Sequence, residues 1–280
     1  TCVDCGCGLR LSTTPDTRRL ASPPSAGTTQ MEEYLLHPDR HIWVERAFNI
    51  RDIGGYPTAD GGVTQWGRFL RSDGLHALHD ADMQVLLDYG VRTVVDLRLP
   101  RELEAAPNVF RDSNAVDYRH LSFIDENVLK KIEQAPVQDR THMRADKGYR
   151  LWLDECQPSV RDILVSLAEH DDGVALYHCS GGKDRTGLIS ALLLGLVGVS
   201  KDLIAADYAL TARYNIQSTL KPEPHIRSWQ DYEAAYCPPE VMHQSLRHLT
   251  SIYGGVESYM RDIGVTGRQI ERLRSYLLIS

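Results

Sequence analysis

The chain has 280 residues, 42% of them hydrophobic and 25% charged, an ordinary globular composition with enough apolar material for a core. Its formal net charge of -7 argues against a nucleic-acid partner, whose phosphates it would repel. No stretch reaches transmembrane length, and six cysteines in a chain this long do not make the pattern of a disulfide framework.

Residues 1–30 are rich in Ser, Thr, Pro, Gly and Arg and poor in apolar types, so they read as a disordered or appended tail with the natural start at or near Met31. Cys2, Cys5 and Cys7 suggest zinc, but no fourth ligand lies nearby and the spacing fits no common ribbon or finger. Residues 31–280 show no repeat and no linker and are expected to form a single domain.

Ile42-Trp43-Val44 reads as a strand, and Asn49-Ile50-Arg51-Asp52-Ile53-Gly54-Gly55 as a turn. Its glycines permit a backbone forbidden to other residues, and the Arg51/Asp52 pair can brace it by charge-assisted hydrogen bonds. Gly67 to Asp73 predicts a short strand. Asp80 to Tyr89 carries apolar residues at 83, 86, 87 and 89 before Gly90, the pattern of a small helix with a glycine C-cap. Val91 to Leu97 is the best strand pattern in the chain, and Asp96 and Arg98 at its end lie where ligands of open α/β sheets gather. Arg98 is expected to pair with a neighbouring carboxylate. Val116 to Ile124 predicts a further strand with Asp125 at its exit. Between 130 and 150 the cations Lys130, Lys131, Arg140, Arg144, Lys147 and Arg150 outnumber Glu133, Asp139 and Asp146, a basic patch or simply a solvated helical face.

Gln157 to His170 is amphipathic, with apolar residues at 160, 163, 164 and 167. Asp171-Asp172-Gly173 then announces Val174 to Tyr177, a buried strand, and Leu188 to Val197 is a run of helical rather than strand length. The ten residues between, His178-Cys179-Ser180-Gly181-Gly182-Lys183-Asp184-Arg185-Thr186-Gly187, form a strand-to-helix turn. There, free backbone N–H groups and the positive end of a helix dipole converge on an anion. Downstream, Ser200 caps a helix running to about Tyr214, Pro222, Pro224, Pro238 and Pro239 break any regular element in 215–238, and Glu240 to Tyr253 is another helix.

Cysteine, five residues, arginine is the arrangement for phosphoryl transfer through a covalent intermediate. The Cys179 thiolate, open to the incoming ester, would attack phosphorus. The amides of Ser180, Gly181, Gly182, Lys183, Asp184 and Arg185 would hold the equatorial oxygens, which the Arg185 fork would grip. A helix N-terminus and nearby cations can bring such a thiol to roughly 3.5–7.5. Thr186 can donate its hydroxyl to the sulfur, and Lys183 adds positive charge for the substrate. This chemistry requires no metal or cofactor, and a working thiolate suits a reducing compartment, by default the cytoplasm, with export without a recognisable signal still open. The loop is not a nucleotide-binding one, because Gly182-Lys183 is followed by Asp184 rather than Ser or Thr.

His-Cys-x-x-Gly-Lys-Asp-Arg-Thr-Gly at 178–187 resembles the signature of the bacterial atypical tyrosine-protein phosphatases, cysteine phosphatases with dual-specificity and phosphoinositide-phosphatase leanings. Asn-x-Arg-Asp-x-Gly-Gly at 49–55, Asp96-Leu97-Arg98 followed by Arg101-Glu102, and the helical ending from Gly254 to Leu278 resemble the same family, so the likeness covers roughly 40–280. It implies an α/β cysteine-phosphatase fold with a mainly parallel central sheet flanked by helices, and a helical lid inserted at 127–157. It also implies that Asp184, inside the loop, does the acid/base work, with Asp125 as the alternative from a separate loop. The expected reaction is hydrolysis of phosphotyrosine in a protein. Phosphoinositides or small phosphorylated metabolites are the alternative substrates, and a silent phospho-binding module is the alternative function. The sequence assigns no oligomeric state.

Overall fold

The computed structural model describes residues 29–134, 146–170, 173–218, 223 and 225–279. Cys2, Cys5, Cys7, Asp139, Arg140, Arg144, Asp171, Asp172, Pro222 and Pro224 lie outside the described residues, as do the side chains of Glu133, Asp146 and Lys147. Among the described residues one five-stranded sheet is built from β1 (Arg51–Asp52), β2 (Phe69–Ser72), β3 (Val91–Asp96), β4 (Asp117–His120) and β5 (Val174–His178), in the order β1-β2-β5-β3-β4. β1 runs antiparallel to β2 and every other pairing is parallel, which bears out the mainly parallel sheet expected from the sequence. β5 lies between β2 and β3 and all five of its residues are buried, as its unbroken apolar run requires.

The two-residue period of the strands sorts the core onto two faces. Leu70, Val94 and Leu176 point to a smaller cluster with Leu86 of α2 (Asp80–Tyr89) and Phe110, which follows α3 (Pro100–Ala105). Phe69, Val95, Ala175 and Tyr177 point to the larger one. That side is covered by α5 (Asp146–Glu155), α6 (Gln157–Ala168), α7 (Asp184–Leu196), α8 (Lys201–Ala209), α11 (Pro239–Tyr253), α12 (Val256–Asp262) and α13 (Gly267–Leu277). Here α1 is Gln30–Leu35, α4 Glu126–Gln134, α9 Thr211–Asn215 and α10 Trp229–Tyr236. α7 is buried from Thr186 to Leu194, the fate of a helix that is apolar all round. No helix among the described residues is long and apolar enough to cross a membrane.

Four local expectations need correction. Ile42 to Val44 does not form a strand: only the ends of 40–42 pair with 50–52, through Ile42 N to Ile50 O (3.0 Å) and Asp52 N to Arg40 O (2.9 Å), and Trp43 points outward, 68% exposed. The helix from Ser200 is interrupted at Leu210, giving α8 and α9. Residues 229–236 are helical despite the surrounding prolines, because Ser228 accepts from the Asp231 amide while Asp231 accepts from the Ser228 amide, a reciprocal cap. The strand expected at 116–124 is confined to 117–120.

A buried ion cluster lies under the C-terminal end of β5. Asp207, from an otherwise apolar face of α8, accepts from Arg51 Nε (3.1 Å), from Arg71 Nη1 and from the Tyr56 hydroxyl (2.9 Å). Its backbone carbonyl accepts from Arg51 Nη2 at 2.8 Å. Arg51 therefore pairs with Asp207 rather than Asp52, whose carboxylate instead accepts from the Gly54 and Gly67 amides and the Tyr89 hydroxyl. Burial opposes charge on Asp207, but the two guanidinium groups outweigh it and hold the carboxyl well below the usual carboxylate range. Removing one partner of such a cluster strands the other charges in a dry site, so Asp207→Ala is expected to cost about 3–5 kcal/mol of stability, read by urea denaturation. A loss within 1 kcal/mol would show that Arg51 and Arg71 reach water without it.

Candidate active site

β5 ends at His178 and α7 begins at Asp184, so Cys179 to Lys183 is the turn expected from the sequence, at the C-terminal edge of the central strand. Its carbonyls are held from outside one after another. Ser180 O accepts from the Gly74 amide (2.9 Å), Gly181 O from Asn49 Nδ2 (3.1 Å) and Asn215 Nδ2 (2.8 Å), and Gly182 O from Arg71 Nη2 (2.9 Å) and Asn49 Nδ2 (3.3 Å). Among the described residues the amides of 180–185 have no protein acceptor. With the carbonyls pinned on one side, these amides are left to line the other, which makes a nest for an oxyanion.

Asn49 is fixed in turn, its Oδ1 accepting from Arg51 Nη1 and its amide donating to Asp73. The Asn-x-Arg-Asp motif thus connects the loop to the Asp207 cluster: Asn49 touches the loop, Arg51 touches Asn49 and Asp207, and Arg71 touches both Asp207 and the loop. Two guanidinium groups against one carboxylate leave the Arg51, Arg71 and Asp207 cluster itself with one net positive charge. Gly54 serves this arrangement sterically, because a Cβ there would lie 2.6 Å from the Trp66 Cα.

Cys179 stands at the floor of the turn and is only 2% exposed, packed against the large core cluster, whereas the sequence led to the expectation of a sulfur standing more open. His178 Nδ1 lies 3.0 Å from the Cys179 carbonyl, while Nε2 lies 2.8 Å from Asn108 Nδ2 and 3.3 Å from Asp96. Asp96 also takes two Nε contacts and an Nη2 contact from Arg98, the neighbouring carboxylate expected for that arginine. Arg185 is clasped by Glu102 of α3, Nη1 to Oε2 at 2.5 Å and Nη2 to Oε1 at 3.0 Å, and the Ser180 hydroxyl donates to the same carboxylate. Burial opposes the Glu102 charge, but Arg185 and Ser180 outweigh it and bring the carboxyl down to about 2. Burial likewise opposes the charge of Arg185, yet attraction from Cys179 and the bonds to Glu102 leave its pKa raised. Glu102 takes the terminal edge of the guanidinium, so the Nε edge is the one turned to other acceptors.

Asp184 Oδ1 accepts from the Tyr149 hydroxyl and lies 3.4 Å from Lys183 Nζ. Lys183 also donates to the Tyr236 carbonyl at 3.0 Å, so its charge is shared with Asp184 and α10 instead of standing free for a substrate. The Thr186 hydroxyl is buried without a partner among the described residues and makes no bond to the sulfur. Asp125 is not brought to the turn: it is exposed, accepts from the Asn127 amide at 2.7 Å and starts α4.

The model of the tyrosine phosphatase family matches residues 42–279. The chain belongs to the tyrosine phosphatase family. It is 31% identical to a tyrosine-protein phosphatase of Nostoc commune over 74% of this chain and 72% of that one. It is 27% identical to the triple specificity protein phosphatase PtpB of Mycobacterium tuberculosis over 83% of this chain and 97% of that one. The crystal structure of P. aeruginosa TpbA matches 76% of this chain and 98% of its own at 16% identity, with a TM-score of 0.33. The likeness stated from the motifs at 49–55, 96–102 and 178–187 is thereby borne out as a family.

Asn49, Glu102, Asp207, Asn215 and Tyr149 complete the site: Asn49 lies in the 49–55 motif and Glu102 in the 96–102 motif singled out from the sequence, whereas Asp207, Asn215 and Tyr149 were given no place at it. Asp207 alone carried a local signal, four residues after Leu203 and three after Ile204, an acid on the face of α8 that should be apolar. Gly182 has φ +63, and a Cβ there would lie 2.6 Å from Ser72 O and 2.7 Å from Asp73 N. Gly182→Ala is therefore expected to destabilise the fold by about 1–3 kcal/mol and to weaken vanadate binding at least tenfold, measured by thermal melts and by titration of inhibition. Wild-type vanadate affinity in the alanine variant would mean that the turn does not form the oxyanion nest.

Proposed function

We propose that residues 31–280 act as one catalytic unit that hydrolyses phosphotyrosine in proteins through a phosphocysteine intermediate. The observation that carries this is the turn itself, whose carbonyls at 180, 181 and 182 are pinned outward around Cys179 while Glu102 aims Arg185 across it.

In the first step the Cys179 thiolate attacks phosphorus in line, forming the S–P bond as the bond to the tyrosyl oxygen breaks. Asp184 gives its proton to that leaving oxygen. In the second, water attacks the phosphocysteine, gives a proton to Asp184 and releases phosphate with the thiolate restored. The amides of 180–185 and the Nε edge of Arg185 stabilise the equatorial oxygens through both transition states. Asp184 is favoured over Asp125 because it begins α7 beside Arg185, whereas Asp125 is spent at the start of α4. A chain that keeps Cys156, Cys179 and Cys237 as free thiols suits the reducing cytoplasm. A wider range taking in phosphoinositides or small phosphorylated metabolites is the second reading, favoured by the likeness to a triple specificity phosphatase. A panel of phosphotyrosine, phosphoserine and phosphoinositide substrates separates the two.

Cys179→Ser is expected to abolish turnover, by more than about 10⁴-fold, while leaving vanadate or phosphate binding within a few-fold of wild type. Retained turnover would remove Cys179 as nucleophile. Asp184→Asn is expected to slow phenyl phosphate hydrolysis about 10²-fold or more and p-nitrophenyl phosphate hydrolysis much less, since nitrophenolate departs with little need of a proton. Equal losses on the two esters would take the acid role away from Asp184.

A further inference from the structure

The two oxygens of the Asp184 carboxylate are unequal. Oδ1 accepts the Tyr149 hydroxyl and faces Lys183 Nζ, whereas Oδ2 has no hydrogen-bond partner among the described residues. Tyr149 is fixed from several sides: it is 1% exposed, its ring stacks on that of Trp152 at 5.5 Å, and its oxygen lies 3.0 Å from the Tyr208 hydroxyl on α8. A carboxylate only accepts, so Tyr149 spends its single proton on Asp184, and Tyr208 spends its own on the Tyr149 oxygen. The result is a chain of two neutral donors ending on one carboxylate oxygen, each strengthening the next. Burial first, and then the Asp184 charge, push both phenols above their ordinary value, so both remain donors across any working pH.

We propose that Tyr149 is a positioning residue that directs the catalytic proton of Asp184 to Oδ2. This rests on the reading of Asp184 as the acid. With Oδ1 held as the acceptor of a fixed O–H, the proton-bearing oxygen in the first step is the other one, turned to the leaving group. In the second step the same donor stabilises the carboxylate that must take a proton from water. Tyr149 sits on α5, so the segment at 127–157 expected to cover the site contributes to the acid itself. The charged and titratable groups facing Asp184 are Tyr149 from α5, Tyr208 from α8, Lys183 and Arg185 beside it in the chain, and Cys237 just beyond α10. Of these, Tyr149 is the neutral group bonded directly to the carboxylate, and its loss alters hydrogen bonding without altering net charge.

The test compares full-length wild type with Tyr149→Phe, Tyr208→Phe and Asp184→Asn in kcat/KM against pH, using phenyl phosphate and p-nitrophenyl phosphate, with thermal melts to establish folding. A hydrogen bond to the ionised form of an acid favours that form, so its removal lets the proton persist to higher pH. The alkaline limb on phenyl phosphate is expected to move up by about one pH unit in Tyr149→Phe and by less in Tyr208→Phe. The ratio of p-nitrophenyl to phenyl phosphate turnover should rise about tenfold in Tyr149→Phe as the proton is misdirected. A folded Tyr149→Phe with the wild-type limb and ratio would reduce Tyr149 to a packing residue and overturn the proposal. Should Tyr149→Phe not fold, an unmoved limb in Tyr208→Phe overturns it alone. The Asp184→Asn arm separates the two levels: if the limb survives there, Asp184 is not the acid and the underlying reading falls. If that limb disappears and Tyr149→Phe leaves it in place, only the present inference falls.

Discussion

The structure depends on one carboxylate shared by two guanidinium groups in a dry site. Asp207 neutralises only half of what Arg51 and Arg71 bring, and each arginine also reaches toward the turn, Arg71 through Nη2 to the Gly182 carbonyl and Arg51 through Nη1 to Asn49, which holds it. Burying such charges as isolated ions is prohibitive, and even a paired cluster is seldom worth more than well-packed apolar residues of the same volume. Its value is therefore positional. The cluster fixes which way the Gly181 and Gly182 carbonyls point, and with them the side on which the amides stand.

In the proposed reaction the same geometry is what lets an acidic chain attract an anion. A net charge of -7 opposes a phosphate ester at long range, but charge outside a Debye length of about 8 Å is largely screened at physiological ionic strength. The unmatched positive charge of the Arg51, Arg71 and Asp207 cluster, the amides and the dipole end of α7 act within that distance and in a poorly screened setting. Glu102 subtracts from the local positive charge yet tightens the site, because it occupies the terminal edge of Arg185 and so selects the direction in which the remaining donors face.

Elements whose cause is local were legible in the sequence. The β5 strand, the turn, α7, the glycine-capped α2 and the amphipathic α6 each follow from periodicity, capping or composition within a dozen residues; β5, α2 and α6 lie within a residue or two of where those signals put them, while α7 starts at Asp184 rather than Leu188 and shortens the turn. Cys179, Ser180, Gly181, Gly182, Lys183, Asp184, Arg185 and Thr186 were legible as a unit for the same reason. What the sequence did not disclose is which distant side chains close around that unit. Asn49 reaches Gly181 across 132 positions, Arg51 reaches Asp207 across 156, and Arg185 reaches Glu102 across 83, and no window of sequence registers such pairings. Arg51 and Asp52 do brace the 49–55 turn, through Asn49 and the Gly54 amide, but as adjacent strand residues they face opposite sides of the sheet and so meet different distant partners.

The same distinction explains why Thr186 and Lys183 behave differently from their neighbours in the turn. Backbone amides are positioned by the fold as soon as the carbonyls are anchored, and they need no side-chain choice to do their work. Side chains at the start of a helix are free to find other partners: Lys183 turned to Asp184 and to the end of α10, and Thr186 is fully buried in the core. Lys183 and Tyr149 meet on one oxygen of Asp184, a cation and a neutral donor facing the same acceptor. In the proposed cycle the water that cleaves the phosphocysteine returns to Asp184 the proton given to the leaving group, and with Lys183 and Tyr149 both on Oδ1 that proton leaves and returns at Oδ2.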